Sequence, residues 1–178
     1  MTELAPTDLA DVVGVPRSVV EQLIADLTAQ GRTVAAAESL TGGLLTALLT
    51  EIPGSSSVVR GGLVVYATDL KHTLAGVDAD LLAEHGAVHP DVAVALAHGA
   101  RRRCGADFGV GLTGVAGPDP QDGRPPGTCY VALAGPGDGR PVVVGAAPES
   151  GAPGRAGIRA AAVRQAIILL LDAIATRP

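Results

Sequence analysis

Short runs of small apolar residues, alternating with stretches of helical periodicity, constrain this chain more than any other feature. "TVAAAE" (33–38), "RGGLVVYA" (60–67) and "DFGVGLTG" (107–114) read as strands, the first and last of them buried. Helical patterns lie between them. "RSVVEQLIADLTAQG" puts Val19, Leu23, Ile24 and Leu27 on one face and stops at Gly31. Further helices are expected over 41–54, 69–76, 78–86 and 89–105, the last with Pro90 near its first turn. "TCYVALAG" and "RPVVVGAAPE" then read as two strands joined through "PGDG" as a hairpin, and "GIRAAAVRQAIILLLDAIA" as a long closing helix. Helices alternating with strands, followed by a hairpin, give an α/β fold: a three-layer α-β-α sandwich around a mixed sheet.

At 178 residues one domain is expected, covering 17–178 after a loose leader at 1–16. The chain is 47% apolar, yet only 2% aromatic and without tryptophan, so its core is built from small aliphatic side chains. Such a core suits helices lying close on a sheet. The net charge of −5 argues against a nucleic-acid surface, which needs a basic field. The run Arg101, Arg102, Arg103 ends a helix, where cations offset the helix dipole. Cys104 and Cys129 form no framework or metal-ligand spacing. The first residues lack the regions of a signal peptide, and "AIILLLDAIA" is too short and too interrupted by Asp172 to span a membrane. A cytoplasmic protein is expected, with no membrane partner.

Several motifs have plain structural explanations. "GVGLTG" spells G-x-G-x-x-G, but its glycines fall inside a strand, so they read as room for a close helix or a close ligand. His85 and His89 are spaced for a metal, but Gly86 and Pro90 place them in a loop, and no third ligand stands out. "AAAESLTGG" is more informative. It sets Ser39 where a strand turns into a helix, beside amides without intrahelical partners. Such a turn can present a nucleophile and its oxyanion donors, and equally a plain helix cap. "LTGVAGPDPQDGRPPGT" opens a second strand end into a long Pro/Gly loop. Arg155 and Arg159 stand one turn apart at the start of the last helix, where an anion between them would account for two otherwise unfavourable cations. Lys71 is the only lysine among thirteen lysines and arginines, and of the two only lysine can supply a neutral base near pH 7. His72, beside it, is a candidate accessory residue.

In order along the chain, "TVAAAESLTGGLL", "GGLVVYATDLKHTLAGV", "GAVHPDVAVALA", "GLTGVAGPDPQDGRPPGTCYVAL" and "GRAGIR" resemble the CinA C-terminal domain family, whose activity is nicotinamide-nucleotide amidohydrolysis. The resemblance runs from about residue 17 to 174 and reads as a stand-alone domain. It implies hydrolysis of the carboxamide of nicotinamide mononucleotide to nicotinate mononucleotide and ammonia, a step of pyridine-nucleotide salvage. Ser39 falls at the family's nucleophile, Lys71 at its base, and Tyr66 beside them. Glu38, Leu40, Thr41, Gly42, Gly43, Thr113, Gly114, Ala116, Gly117, Arg155 and Arg159 are the implied substrate contacts. No metal or organic cofactor is implied, and the partner is a small nucleotide. A homodimer is compatible with the sequence but not specified by it. Three positions depart from the family: Leu40 stands where Cys is common, Gly154 where Asp is frequent, and "PDPQDGRPPG" replaces a glycine-rich loop. Two other readings stay open: a non-catalytic nucleotide- or partner-binding module linked to competence or DNA damage, and an amidase for another small amide.

Overall fold

The computed structural model describes residues 8–136, 142–145 and 154–175. Seven α-helices and five strands are assigned there. They run α1 (Leu9–Val13), α2 (Arg17–Ala29), β1 (Val34–Glu38), α3 (Leu44–Thr50), β2 (Val59–Val64), α4 (Thr68–Thr73), α5 (Ala79–His85), α6 (Pro90–Cys104), β3 (Phe108–Gly114), β4 (Cys129–Ala134), β5 (Val142–Gly145) and α7 (Gly154–Ala175). The strands form one sheet in the order β2-β1-β3-β4-β5. β1 is parallel to β2 and β3, whereas β4 is antiparallel to both β3 and β5. The fold is therefore the three-layer α/β sandwich with a mixed sheet. The β4–β5 pairing is that of a hairpin, and most of the "PGDG" turn lies outside the described residues.

Period-2 alternation in the strands sorts the two faces by size. Val34 and Ala36 of β1, Phe108, Val110 and Leu112 of β3, and Cys129, Val131 and Leu133 of β4 join the large core with α2, α3 and α7. The opposite face carries Ala35 and Ala37, then Gly109 and Gly111, then Ala132 and Ala134. That smooth face admits α6. A Cβ on Gly109 would collide with Ala97 O, and one on Gly111 with Ala93 O. The G-x-G of the fingerprint-like motif is thus a seat for a helix.

Local signals set the helix ends. Asp8 accepts from Ala10 N at 2.8 Å to start α1, and Gly14 closes it in the left-handed region. α1 lies in the stretch read from sequence as a loose leader, yet Ala10 and Val13 are buried in the core. His89 caps α6, and Gly105 ends it after Arg101–Arg103. α3 starts at Leu44, three residues later than its sequence pattern implies, because residues 40–43 form a turn. No described helix is long and apolar enough to cross a membrane.

β1 lies between β2 and β3, so the chain leaves β1 to one side and returns on the other. The carboxyl ends of such strands form a crevice at the point where the strand order reverses. The loops after β1, β2 and β3 all open there.

Candidate active site

Glu38 ends β1, paired with Val64 of β2 and Leu112 of β3. Ser39 continues the strand for one bond, donating its amide to Leu112 O at 3.0 Å, and the chain then turns, with Gly42 N donating to Ser39 O at 3.0 Å. The Glu38 side chain is fully buried and organises the start of α3. Its Oε2 accepts from Gly43 N and Leu45 N, each at 3.1 Å, and its Oε1 from Thr46 N at 2.8 Å and Thr46 Oγ1 at 2.6 Å. Glu38 is expected from sequence among the substrate contacts. Instead its carboxylate satisfies the orphan amides at the start of α3 and has no free face for a substrate.

The expected donors over 40–43 narrow accordingly. Gly43 N is taken by Glu38 and Gly42 N by Ser39 O. Leu40 N and Thr41 N have no hydrogen-bond partner among the described residues. Thr41 is fully buried, with its Oγ1 unpartnered among the described residues, whereas Leu40 reaches the cleft.

Ser39 and Leu40 line a cleft of about 110 Å³ with Tyr66 from the loop after β2 and Arg155 from α7. Its other wall is the loop after β3: Gly114, Val115, Ala116 and Gly117, then Asp119 and Gln121. The Ser39 hydroxyl has no hydrogen-bond partner among the described residues, and the amides of Ala116 and Gly117 are likewise unpartnered there. Arg155 spans the cleft, donating from Nη1 to Gly117 O at 2.9 Å and from Nη2 to the Tyr66 hydroxyl at 2.6 Å. It adopts this pose with Gly154 before it.

Lys71 sits behind this wall on α4, with 1% of its surface exposed. Its Nζ donates to Val65 O at 3.0 Å and Tyr66 O at 3.3 Å. Burial lowers its pKa from 10.5 to about 8, opposed by the charges of Asp122 and Asp69. These two acceptors leave a third position on Nζ, a hydrogen in the ammonium or the lone pair in the neutral amine, without a partner among the described residues. No direct hydrogen bond joins Lys71 to Ser39 among the described residues.

Two expected contacts turn out to be braces. Thr113, buried, donates from Oγ1 to Ala87 O at 2.6 Å and so ties the 86–89 loop to β3. Arg159 donates from Nε to Leu40 O at 3.1 Å and from Nη2 to Thr41 O at 2.6 Å. Carbonyls, rather than an anion, thus account for Arg159, whereas Arg155 stays in the cleft. His72 is held on Val77 O at 2.7 Å and does not line the cleft. His85 and His89 stack with ring centroids 4.3 Å apart, and no group of three or more metal-ligating side chains occurs among the described residues.

Asp119, Gln121 and Asp122 are additions that sequence reading left within an undivided loop. Gln121 and Arg124 close a tight turn over Asp122 and Gly123, whose φ values are 50° and 69°. "Asp-Gly" is the usual signature of such a turn. It brings Asp122 Oδ2 to Ala87 N at 2.8 Å, and Gly86 has no Cβ to block the approach.

The model of the CinA C-terminal domain matches residues 16–174. A CinA-like protein of Frankia casuarinae is 52% identical over 110 residues, covering 62% of this chain and 25% of that one. A CinA-like protein of Gloeobacter violaceus is 44% identical over 145 residues, covering 81% of this chain and 33% of its own. The chain therefore spans between a quarter and a third of the length of these curated relatives. Among solved structures, the competence/damage inducible protein of Agrobacterium tumefaciens superposes with a TM-score of 0.82 at 36% identity, covering 98% of this chain and 100% of that one. A CinA superfamily protein of Klebsiella pneumoniae gives 0.81 at 27% identity, covering 90% and 98%. With the family model spanning nearly the whole chain, this protein belongs to the CinA C-terminal domain family.

Proposed function

We propose that this domain hydrolyses the carboxamide of nicotinamide mononucleotide, giving nicotinate mononucleotide and ammonia. Lys71 takes the Ser39 hydroxyl proton as the Ser39 oxygen attacks the amide carbon. The unpartnered amide of Leu40, which lines the cleft, stabilises the oxyanion. The Lys71 ammonium then returns its proton to the departing nitrogen, which leaves as ammonia. Water, deprotonated by Lys71, attacks the Ser39 ester and releases the acid with Ser39 restored. Arg155 and the amides of Ala116 and Gly117 receive the phosphate, and Tyr66 orients Arg155 through its hydroxyl. Gln121 and Asp119 face the ribose hydroxyls.

The observation that carries this reading is the Lys71 amine: buried, with two acceptors among the described residues and its pKa lowered to about 8, one strand end away from a cleft-lining serine. A positively charged surface lysine would need none of these features. Hydrogen bonds between nucleophile and base are commonly long before the substrate engages and tighten around it.

The cleft volume of about 110 Å³ favours a second reading, a smaller amide, since nucleotide-sized ligands fill about 300 Å³ or more. Ammonia release from nicotinamide mononucleotide, its riboside and free nicotinamide decides between them. Turnover of the nucleotide that is lost in Ser39→Ala supports the first; turnover of the smaller amides alone supports the second.

A further inference from the structure

The two arginines near the start of α7 have different tasks. Arg155 faces the cleft, whereas Arg159 reaches the backbone of the turn after Ser39. We propose that Arg159 is a positioning residue, a clamp on the Leu40 and Thr41 carbonyls that fixes the turn and the direction of its free Leu40 amide in the cleft, and not a ligand for substrate phosphate. This role rests on the amidohydrolase reading.

Peptide geometry dictates the direction of those amides. In a trans peptide the C=O and N–H point in opposite directions. Nε and Nη2 lie on one edge of a rigid planar fork. When that edge binds two successive carbonyls, Leu40 O and Thr41 O, both must point toward Arg159. The Thr41 N–H, sharing the peptide of Leu40 O, is therefore aimed away from the guanidinium. Ser39 O is held by Gly42 N, which fixes the peptide bearing Leu40 N–H in the same way. Three consecutive carbonyls are thus tied down: Arg159 on Thr41 O fixes the peptide whose Gly42 N–H holds Ser39 O, and with it the direction of the Leu40 N–H, the free amide of a residue that lines the cleft.

The turn needs this restraint. Gly42 and Gly43 both have positive φ, at 59° and 93°, and adjacent glycines give a backbone many alternative conformations. Oxyanion donors are effective when they are fixed before the charge develops. The clamp also explains a cation in the second turn of a helix, where it gains nothing from the dipole.

The test compares Arg159→Ala and Arg159→Lys with the wild-type chain in three measurements: kcat and KM for nicotinamide mononucleotide, hydrogen exchange over 39–46, and the thermal midpoint. Arg159→Ala is expected to lower kcat about 10- to 100-fold with KM changed less than about threefold, since misaligned donors weaken transition-state binding. Exchange at the Gly42 and Gly43 amides should quicken as Ser39 O and Glu38 loosen their hold. Arg159→Lys, able to reach one carbonyl, should recover part of kcat. A raised KM at unchanged kcat would overturn the proposal in favour of phosphate binding. A lowered thermal midpoint with normal kcat per folded molecule would reduce Arg159 to scaffold. Unchanged exchange would remove the clamp whatever the kinetics. If the wild-type chain releases no ammonia, the amidohydrolase reading fails on its own, and the exchange arm still decides whether Arg159 clamps the turn.

Discussion

Replacing Lys71 by arginine separates charge from basicity at one position. An amine with a pKa of about 8 is about 9% neutral at pH 7, against about 0.03% for one left at its ordinary value. Burial thus multiplies the population of competent base roughly 300-fold. A guanidinium offers no neutral form at all. Lys71→Arg is therefore expected to lower kcat/KM by about 10²–10⁴-fold, the contribution of a positioned base. Lys71→Met controls for the tight fit of a larger head group beside Val65 O and Tyr66 O, and should be equally inactive while folding normally. The pH profile supplies the sign. The competent form is deprotonated, so kcat/KM of the wild type should climb about 50-fold from pH 6 to pH 8 and level off above. Both measurements use ammonia release from nicotinamide mononucleotide, with circular dichroism as the folding control. Activity within about tenfold in Lys71→Arg, or a flat profile between pH 6 and 9, would refute the neutral-lysine mechanism.

The same geometry sets three further outcomes. Glu38→Gln should cost about 2–4 kcal/mol in urea denaturation, because an amide nitrogen would replace a charged acceptor facing backbone donors; a loss below about 0.5 kcal/mol would mean the cap contributes little. Asp122→Asn keeps an acceptor for Ala87 N but removes a charge that raises the Lys71 pKa, so the rise of kcat/KM should move to lower pH, and an unmoved profile would exclude the coupling. Gly111→Ala should cost about 2 kcal/mol or more by forcing α6 off the sheet, and wild-type stability would contradict the close seat of that helix.

The layered fold was legible because each strand carries its own signal. Alternation in "FGVGL" and "VALA" encodes a large-residue face and a smooth face, and caps and glycines mark the helix ends. The convergence of Ser39, Tyr66 and Gly117 on one cleft also stems from strand ends meeting at one edge, with Arg155 reaching in from α7. What sequence could not assign was how each polar group spends its hydrogen bonds. Glu38, Thr113 and Arg159 lie in the right motifs, yet each is committed to backbone through partners five to 119 residues away. Proximity along a motif does not distinguish a side chain that meets substrate from one that holds the loop that does. The contribution of Asp122 depends on a tight turn inside a Pro/Gly loop and on its approach to Gly86, a contact between segments far apart in the chain.

The most direct measurement of the central claim is capture of the acyl group on Ser39. Wild-type protein is mixed with nicotinamide mononucleotide and hydroxylamine, quenched within one turnover, and the Ser39 peptide and small products are analysed by mass spectrometry. The expected result is a nicotinoyl-nucleotide ester on Ser39 and diversion of product from nicotinate mononucleotide to the hydroxamate as hydroxylamine rises, both absent in Ser39→Ala. Nicotinate mononucleotide as the sole product at every hydroxylamine concentration, with an unmodified Ser39 peptide, would contradict it.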